Sequence, residues 1–531
     1  MLEGHMSAVL LTLDNQFFRD GMPHEVSLSY SQTYLQAIQT VTQAMGKAGE
    51  TLWEHPHLKA TYLAYADLVC LNRFTHFAAD MGGIQNNGWT LPRELIETAF
   101  RRYQTPELAR YLLQAVALQG NQRFRSLDDM FTEPLDYTTV NQITQQAPPE
   151  RSTLAPMRGL AIARSGEGTQ RTALYLDYGY AHRAHHHADR LNINLFTQGM
   201  EWIPEMGYPE YMDSEAPATG GWTTHTVCHA TVEVDAHRQA VSVFGDLHAF
   251  VETEGVRLMD ASCEDTYKYQ GIDRYRRTLL LIDLPDESGY VVDVFRVRGG
   301  QQHDYLFHGP PVAVDIEGVS LSDPAEGTLA GTDVTFGQVA EGVAPYVPEN
   351  NGYQYLFNVR QAGWQGRVDA RWTVPNQGTF GVNFLSDVGE TLLLTDGYPR
   401  PSSKSLSPMP FIVRRRIPTV EDPESRFISI FGVNQQIQAE YLPVTGSDSV
   451  IALRISCGVW ENWVLMTLLP DGHVQVGDVS LRGMIGIWRR RDGQPVWGTL
   501  IGGTRMKAEG VKVYFTLPKT TLFKSLETGR E

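Results

Sequence analysis

The sequence predicts an α+β protein of several domains: a helical N-terminal part, a large antiparallel β-sandwich and a smaller C-terminal β-domain. Three observations predict it. Apolar residues recur at helical spacing up to about position 145. Beyond Gly159 the period changes to two, and the polar, proline-containing stretch QITQQAPPERST (142–153) separates the two regimes. The expected domains are 7–145, 150–410 and 411–531.

In the helical part, Ile38, Val41 and Met45 follow Tyr34 at the spacing of a buried helix face. Further helices are expected over Ala60–Phe77 and Arg93–Tyr103. Thr105 and Pro106 form an N-cap and first-turn pair, and LARYLLQAVALQ runs to a stop at Gly120. Helix, short loop, helix is the pattern of stacked hairpins in a bundle or an α/α toroid. Downstream, GLAIAR, TALYLDY, NINLF, TVEV, AVSVF, TLLLIDL and YVVDVFRV read as strands of sandwich length. PDESG turns Thr278–Leu284 back onto Tyr290–Val297 as a hairpin. PRPSSKSLSPMP (399–410) marks the expected start of the last domain.

Composition narrows the function. The chain has 531 residues, 42% of them hydrophobic and 20% charged, as in ordinary globular proteins. A net charge of −17 argues against general binding to nucleic acid or an anionic membrane. No apolar run approaches the roughly 18 residues a membrane span needs. The opening MLEGHM reads as a cloning remnant, not a signal peptide, so an upstream segment is expected to be missing. The 4 cysteines (Cys70, Cys228, Cys263, Cys457) lack CxxC spacing and imply neither a disulfide scaffold nor a thiolate zinc site.

The chemistry concentrates between Ala181 and Thr231. On an extended strand His185 and His187 share a face, and Asp189 continues it. Glu205 precedes the Gly207 turn, and His229 opens the alternating run HATVEV. Two histidines and a carboxylate brought together by strand pairing can close around a divalent metal, Zn²⁺ first, with Mn²⁺ or Ca²⁺ as alternatives. His185 would stand beside them, free to move a proton near neutral pH. Arg183 and Arg190 supply a local basic patch for an anionic ligand. Tyr208 and Trp222 offer faces for sugar rings, although sandwich cores hold many aromatics too. Asn86 and Asn87, in GGIQNNGW, are candidate polar contacts, with a turn role the commoner use.

These residues resemble those of the heparinase II/III-like polysaccharide lyases. That family carries a HxHxD segment, a carboxylate before a glycine turn and a later HNT or HST. Here they stand as His185-His186-His187-Ala188-Asp189, Glu205-Met206-Gly207 and His229-Ala230-Thr231. DGMPHEVSLSY (Asp20–Tyr30) is similar to the helical segment that presents the family's catalytic tyrosine, and HDYLFHG (His303–Gly309) adds to the match. The resemblance implies an incomplete α/α toroid joined to the β-sandwich. It makes Tyr30 and His185 the catalytic pair and His187, Glu205 and His229 the metal ligands, with Asp189 and Glu25 supporting them. It further implies an anionic polysaccharide substrate and a periplasmic or secreted location.

The implied reaction removes the C5 proton of a 4-linked uronate, as in glycosaminoglycan, alginate or ulvan, and expels the O4-linked sugar. A base, an acid and a group that quiets the carboxylate must cooperate. Two departures stand out: glutamate replaces the usual aspartate at 205, and the carboxylate-neutralising Asn or His falls upstream of the chain. A missing N-terminal segment or a homodimer is expected to supply it, unless a different residue of this chain takes its place. Two alternatives stay open at this point. One is a uronate-binding fragment without turnover; the other is a 2-His-1-carboxylate metal oxygenase.

Overall fold

The computed structural model describes residues 2–524 apart from 26, 47–48, 71–73, 76–80, 82–83, 85–88, 121–132, 180–184, 208–221, 286, 340–348, 400–406, 447–449 and 510. Its helices are Leu2–Gln16, Leu28–Ala44, Glu50–Trp53, Pro56–Asp67, Arg93–Tyr103, Pro106–Gln119 and Tyr137–Thr144. The capping signals act as read: the Thr105 hydroxyl accepts the Leu108 N–H, and Gly120, at φ 67°, ends the helix. The helix expected over Ala60–Phe77 instead stops at Asp67. There an Arg164 guanidinium takes the Asp67 carbonyl, and the Tyr175 hydroxyl donates to Leu68 O at 3.0 Å. The β-sheet thus satisfies carbonyls that a helix end leaves open. On Leu28–Ala44 the buried face is Leu28, Ser31, Leu35, Ile38 and Thr42, so Val41 and Tyr34 point outward.

Four layers stack on one another. Strands Thr153–Ala155, Leu160–Ser165, Thr172–Asp177, Asn192–Thr197 and Met200–Ile203 form an antiparallel 5-stranded sheet in chain order. One face, through Leu160, Ile162, Ala173, Tyr175 and Phe196, shares its core with the helices. The other, through Ala161, Ala163, Leu174, Leu176, Ile193 and Leu195, packs on an 11-stranded antiparallel sheet. That second sheet turns Val256, Leu258, Leu280, Ile282, Val292 and Val294 toward a third, 8-stranded sheet. Period-two alternation thus persists, but both faces are apolar because each strand is covered twice.

Several expected boundaries shift. The hairpin around PDESG forms, pairing Arg274–Leu284 with Glu287–Arg298. Ala240–Phe244 is not a strand, and of the HATVEV run only Val232–Val234 is. The third sheet starts at Ile437 rather than 411. Met409–Arg416 and Glu424–Val433 belong to the 11-stranded sheet, on either side of the long strand Gly378–Gly397. No local signal announces such long-range pairing. Among the described residues, no helix is long and apolar enough to cross a membrane.

Candidate active site

The segment Asp20–Tyr30 fastens the helical part to the β-layers. Asp20 accepts the Met22 N–H at 3.1 Å with one carboxylate oxygen and the Met157 N–H at 3.1 Å with the other. Gly21 has φ 84°, and a Cβ there would lie 2.3 Å from the Ala60 main chain. Gly21→Ala is therefore expected to cost about 2 kcal/mol or more, read as a lowered Tm. Tyr30 follows in the first turn of Leu28–Ala44, the helix end where negative charge is favoured.

His185 meets Tyr30 from the β side. The two rings stack with centroids 3.6 Å apart and planes 14° from parallel. Glu25 Oε1 lies 3.5 Å from His185 Nδ1. The histidine run is not the strand expected from its spacing. His185 sits at φ 67° in a loop, and the strand begins only at Asn192. That left-handed turn lets His185 and His187 serve different neighbours instead of sharing a face.

His187 turns inward to Glu205 and His229. His187 Nδ1 lies 3.5 Å from Glu205 Oε1 and 3.3 Å from His229 Nε2, and His229 Nε2 is 3.1 Å from Glu205 Oε1. All three are at most 2% exposed. His229 Nδ1 donates to the His225 carbonyl at 2.8 Å, which fixes the ring with Nε2 toward the cluster. Burial pushes the Glu205 carboxyl up, but the charge of His229 and the hydrogen bonds of both histidines outweigh it and hold it well below the usual carboxylate range. Two imidazoles and an ionised carboxylate, with ligand atoms within 4.8 Å of one another, are a donor set that fits a divalent metal.

Asn192 was not foreseen as part of this group. Its Nδ2 donates to Glu205 Oε2 at 3.1 Å while its Oδ1 accepts the Ala230 N–H at 3.0 Å, which locks the carboxylate to the histidine segment. Two asparagines in the otherwise apolar NINLF were the available signal. His308 is the other addition. Buried and close to Glu205 and His229, it has its pKa pushed down from 6.5 to about 4, chiefly by burial. The folded state keeps it neutral while the unfolded chain takes up a proton below about 6.5. Its contribution is therefore full above pH 6.5 and is lost as pH falls toward 4, by about 3 kcal/mol. His308→Gln is expected to flatten that part of the stability–pH curve.

Other candidates have different duties. Arg190, 1% exposed, donates to the Gly179 and His187 carbonyls and pairs with Asp189 at 2.8 Å, so it braces the loop from inside rather than meeting ligand. Asp189 accordingly holds that arginine and not a histidine. Trp222 is fully buried, donates to Tyr398 O at 2.7 Å and packs on Tyr355 and Phe411, which leaves no face for a sugar. Arg183, Tyr208, Asn86 and Asn87 lie outside the described residues.

Residues 147–380 match the family profile "Heparinase II/III-like, C-terminal". Over 153 residues the chain is 30% identical to an exo-oligoalginate lyase of Saccharophagus degradans, a match that takes in 26% of this chain and 20% of that protein. Among solved structures, the heparan sulfate lyase of Pedobacter heparinus superposes with a TM-score of 0.59 at 12% identity, over 87% of this chain and 61% of its own. A heparinase III gives 0.56 at 12% identity, over 91% of this chain and 61% of its own. The chain thus spans less than two thirds of the length of these relatives, and at such identity the structures speak for the fold alone. Residues 147–380, which contain the His185–Asp189, Glu205–Gly207 and His229–Thr231 motifs, are thus similar to a heparinase II/III-like C-terminal domain, in line with the resemblance read from the sequence.

Proposed function

We propose that this chain is a polysaccharide lyase that cleaves a 4-linked uronate glycan by β-elimination, with Tyr30 and His185 as its acid–base pair. The observation that carries the reading is the stacking of those two rings, one from the helical part and one from the β-layers, at 3.6 Å. One of the pair takes the C5 proton. The electrons left behind form the C4–C5 double bond, the C4–O4 bond breaks, and the other group returns a proton to the departing oxygen. Glu25, 3.5 Å from His185 Nδ1, would position the ring. A periplasmic or extracellular setting follows from the size of such a substrate.

His187, Glu205 and His229 would hold the metal, with Asn192 and the His225 carbonyl orienting two of them. When bound, the ion would cross-link the histidine loop to the Glu205 turn and so stiffen the wall that carries His185. A 2-His-1-carboxylate oxygenase needs open coordination positions facing substrate. Ligands at most 2% exposed speak against it and for bracing.

Incubation with alginate, heparan sulfate, hyaluronan, chondroitin and ulvan tests the reading. An unsaturated uronate, seen as ultraviolet absorbance, is expected with at least one polymer. Silence across the panel, with oligouronates still bound, would replace the lyase by a binding module.

A further inference from the structure

Ser165 pairs with Thr172 at one end of the 5-stranded sheet, and Leu160 with Asp177 at the other. The Tyr30–His185 site adjoins the Asp177 end, where Arg190 links Asp177 to the His187 carbonyl. The opposite end is one strand length away, about 17 Å. Helices, linker and two sheets converge there around a cavity of about 580 Å³. Five arginines line it: Arg110, Arg151, Arg164, Arg171 and Arg257. In a chain of net charge −17 this is a local concentration of cations.

Three glutamates share the lining. Glu150 is taken by Arg110 and Arg171, Glu252 faces Arg257, which is itself taken by Asp283, and Glu167 stands exposed on the rim. Arg164 is different. It is 8% exposed, and among the described residues its terminal nitrogens bond only neutral acceptors: the Arg151 and Asp67 main-chain carbonyls and the Thr153 hydroxyl. Among the described residues its Nε has no hydrogen-bond partner, and neither has the Oγ of the adjacent Ser165, 7% exposed. Buried donors in that state call for an acceptor. Across the shared Ser165–Glu167 rim lies a second cavity of about 550 Å³, bordered by Trp497 and Leu522. Trp497 lies against the Arg489 guanidinium at 4.5 Å, which fixes the indole.

We propose that these two cavities form one groove that binds an anionic oligosaccharide, carboxylate at the arginine end and sugar ring beside Trp497, as a glycan-holding site separate from the Tyr30–His185 centre. The identity of the ligand as a uronate chain rests on the lyase reading; the groove itself does not. Planar guanidinium groups suit a carboxylate, and an indole suits the apolar face of a pyranose. Such a site would keep a long polymer on the enzyme between cleavage events.

The test is calorimetric titration of the Tyr30→Phe chain, which removes turnover, with hexasaccharides from alginate and from heparan sulfate. Arg171→Ala and Trp497→Ala, each added to that background, are expected to weaken binding about tenfold. Glu167→Arg changes only an exposed side chain and is expected to tighten it about threefold. In the otherwise native chain, the three groove substitutions are expected to leave cleavage of short fragments unchanged. No binding of either hexasaccharide, binding unaltered by all three changes, or displacement by equimolar inorganic phosphate would each overturn the groove. Groove-dependent binding in a chain that forms no unsaturated product would remove the lyase reading and keep the groove. Turnover with variant-insensitive binding would do the reverse.

Discussion

Tyr30→Phe is expected to lower the rate of elimination by at least about a hundredfold, the range that one positioned acid–base group supplies. The substitution deletes a single oxygen and keeps the ring that stacks on His185, so the site keeps its shape. Folding, followed by thermal denaturation, is expected to stay intact. His185→Ala should give a loss of similar size by removing the other half of the pair. Glu25→Gln should be milder and should show as a smaller fall in elimination rate, since it alters a neighbour of the His185 ring at 3.5 Å and not the pair itself. Full turnover in Tyr30→Phe would take Tyr30 out of the mechanism. Turnover lost together with the fold would instead mark the residue as structural.

His187→Ala is expected to remove bound metal and to destabilise the chain by about 3 kcal/mol, the range for breaking a buried charged pair. The reason lies in what remains. Glu205 and His229, buried at 2% and 1% exposure, are left with one partner fewer. Metal analysis of the purified protein and denaturant titration read the two effects separately. His185→Ala is the control, because His185 belongs to the Tyr30 side of the loop and should leave metal content unchanged. Unchanged metal in His187→Ala, or a wild-type chain that binds none, would end the ligand assignment. Chelation of the native protein should lower its Tm in the same direction.

The sequence pointed to side chains that the fold gathers better than it showed how the backbone delivers them. His187, Glu205 and His229 do come together, because those residue types are seldom buried without a shared purpose. The strand on which His185 and His187 were placed does not exist, since the φ of 67° at His185 breaks the alternation and no residue-level pattern announces it. Arg190 and Trp222 were misread for a related reason. Their types suggest ligand contact, whereas their burial depends on layers contributed by residues far away, Gly179 in one case and Tyr398 in the other. Helix ends with local signals were legible at Thr105 and Gly120. The end at Asp67 was not, because its stop comes from Arg164, almost a hundred positions on by simple count along the chain.

The 5-stranded sheet, apolar on both faces, has a consequence for how this protein comes apart. Its strands belong to the helical core on one side and to the large sheet on the other, so neither neighbour can unfold without exposing a face of it. The helices and the first two sheets are therefore expected to behave as one cooperative unit in native-state hydrogen exchange. Protection at Ile162 and Tyr175 should match that at Leu174 and Ile193. A nick in the linker around Gln146–Ser152 should leave the two pieces associated until global denaturation. The helical part expressed alone should remain partly collapsed and prone to aggregate.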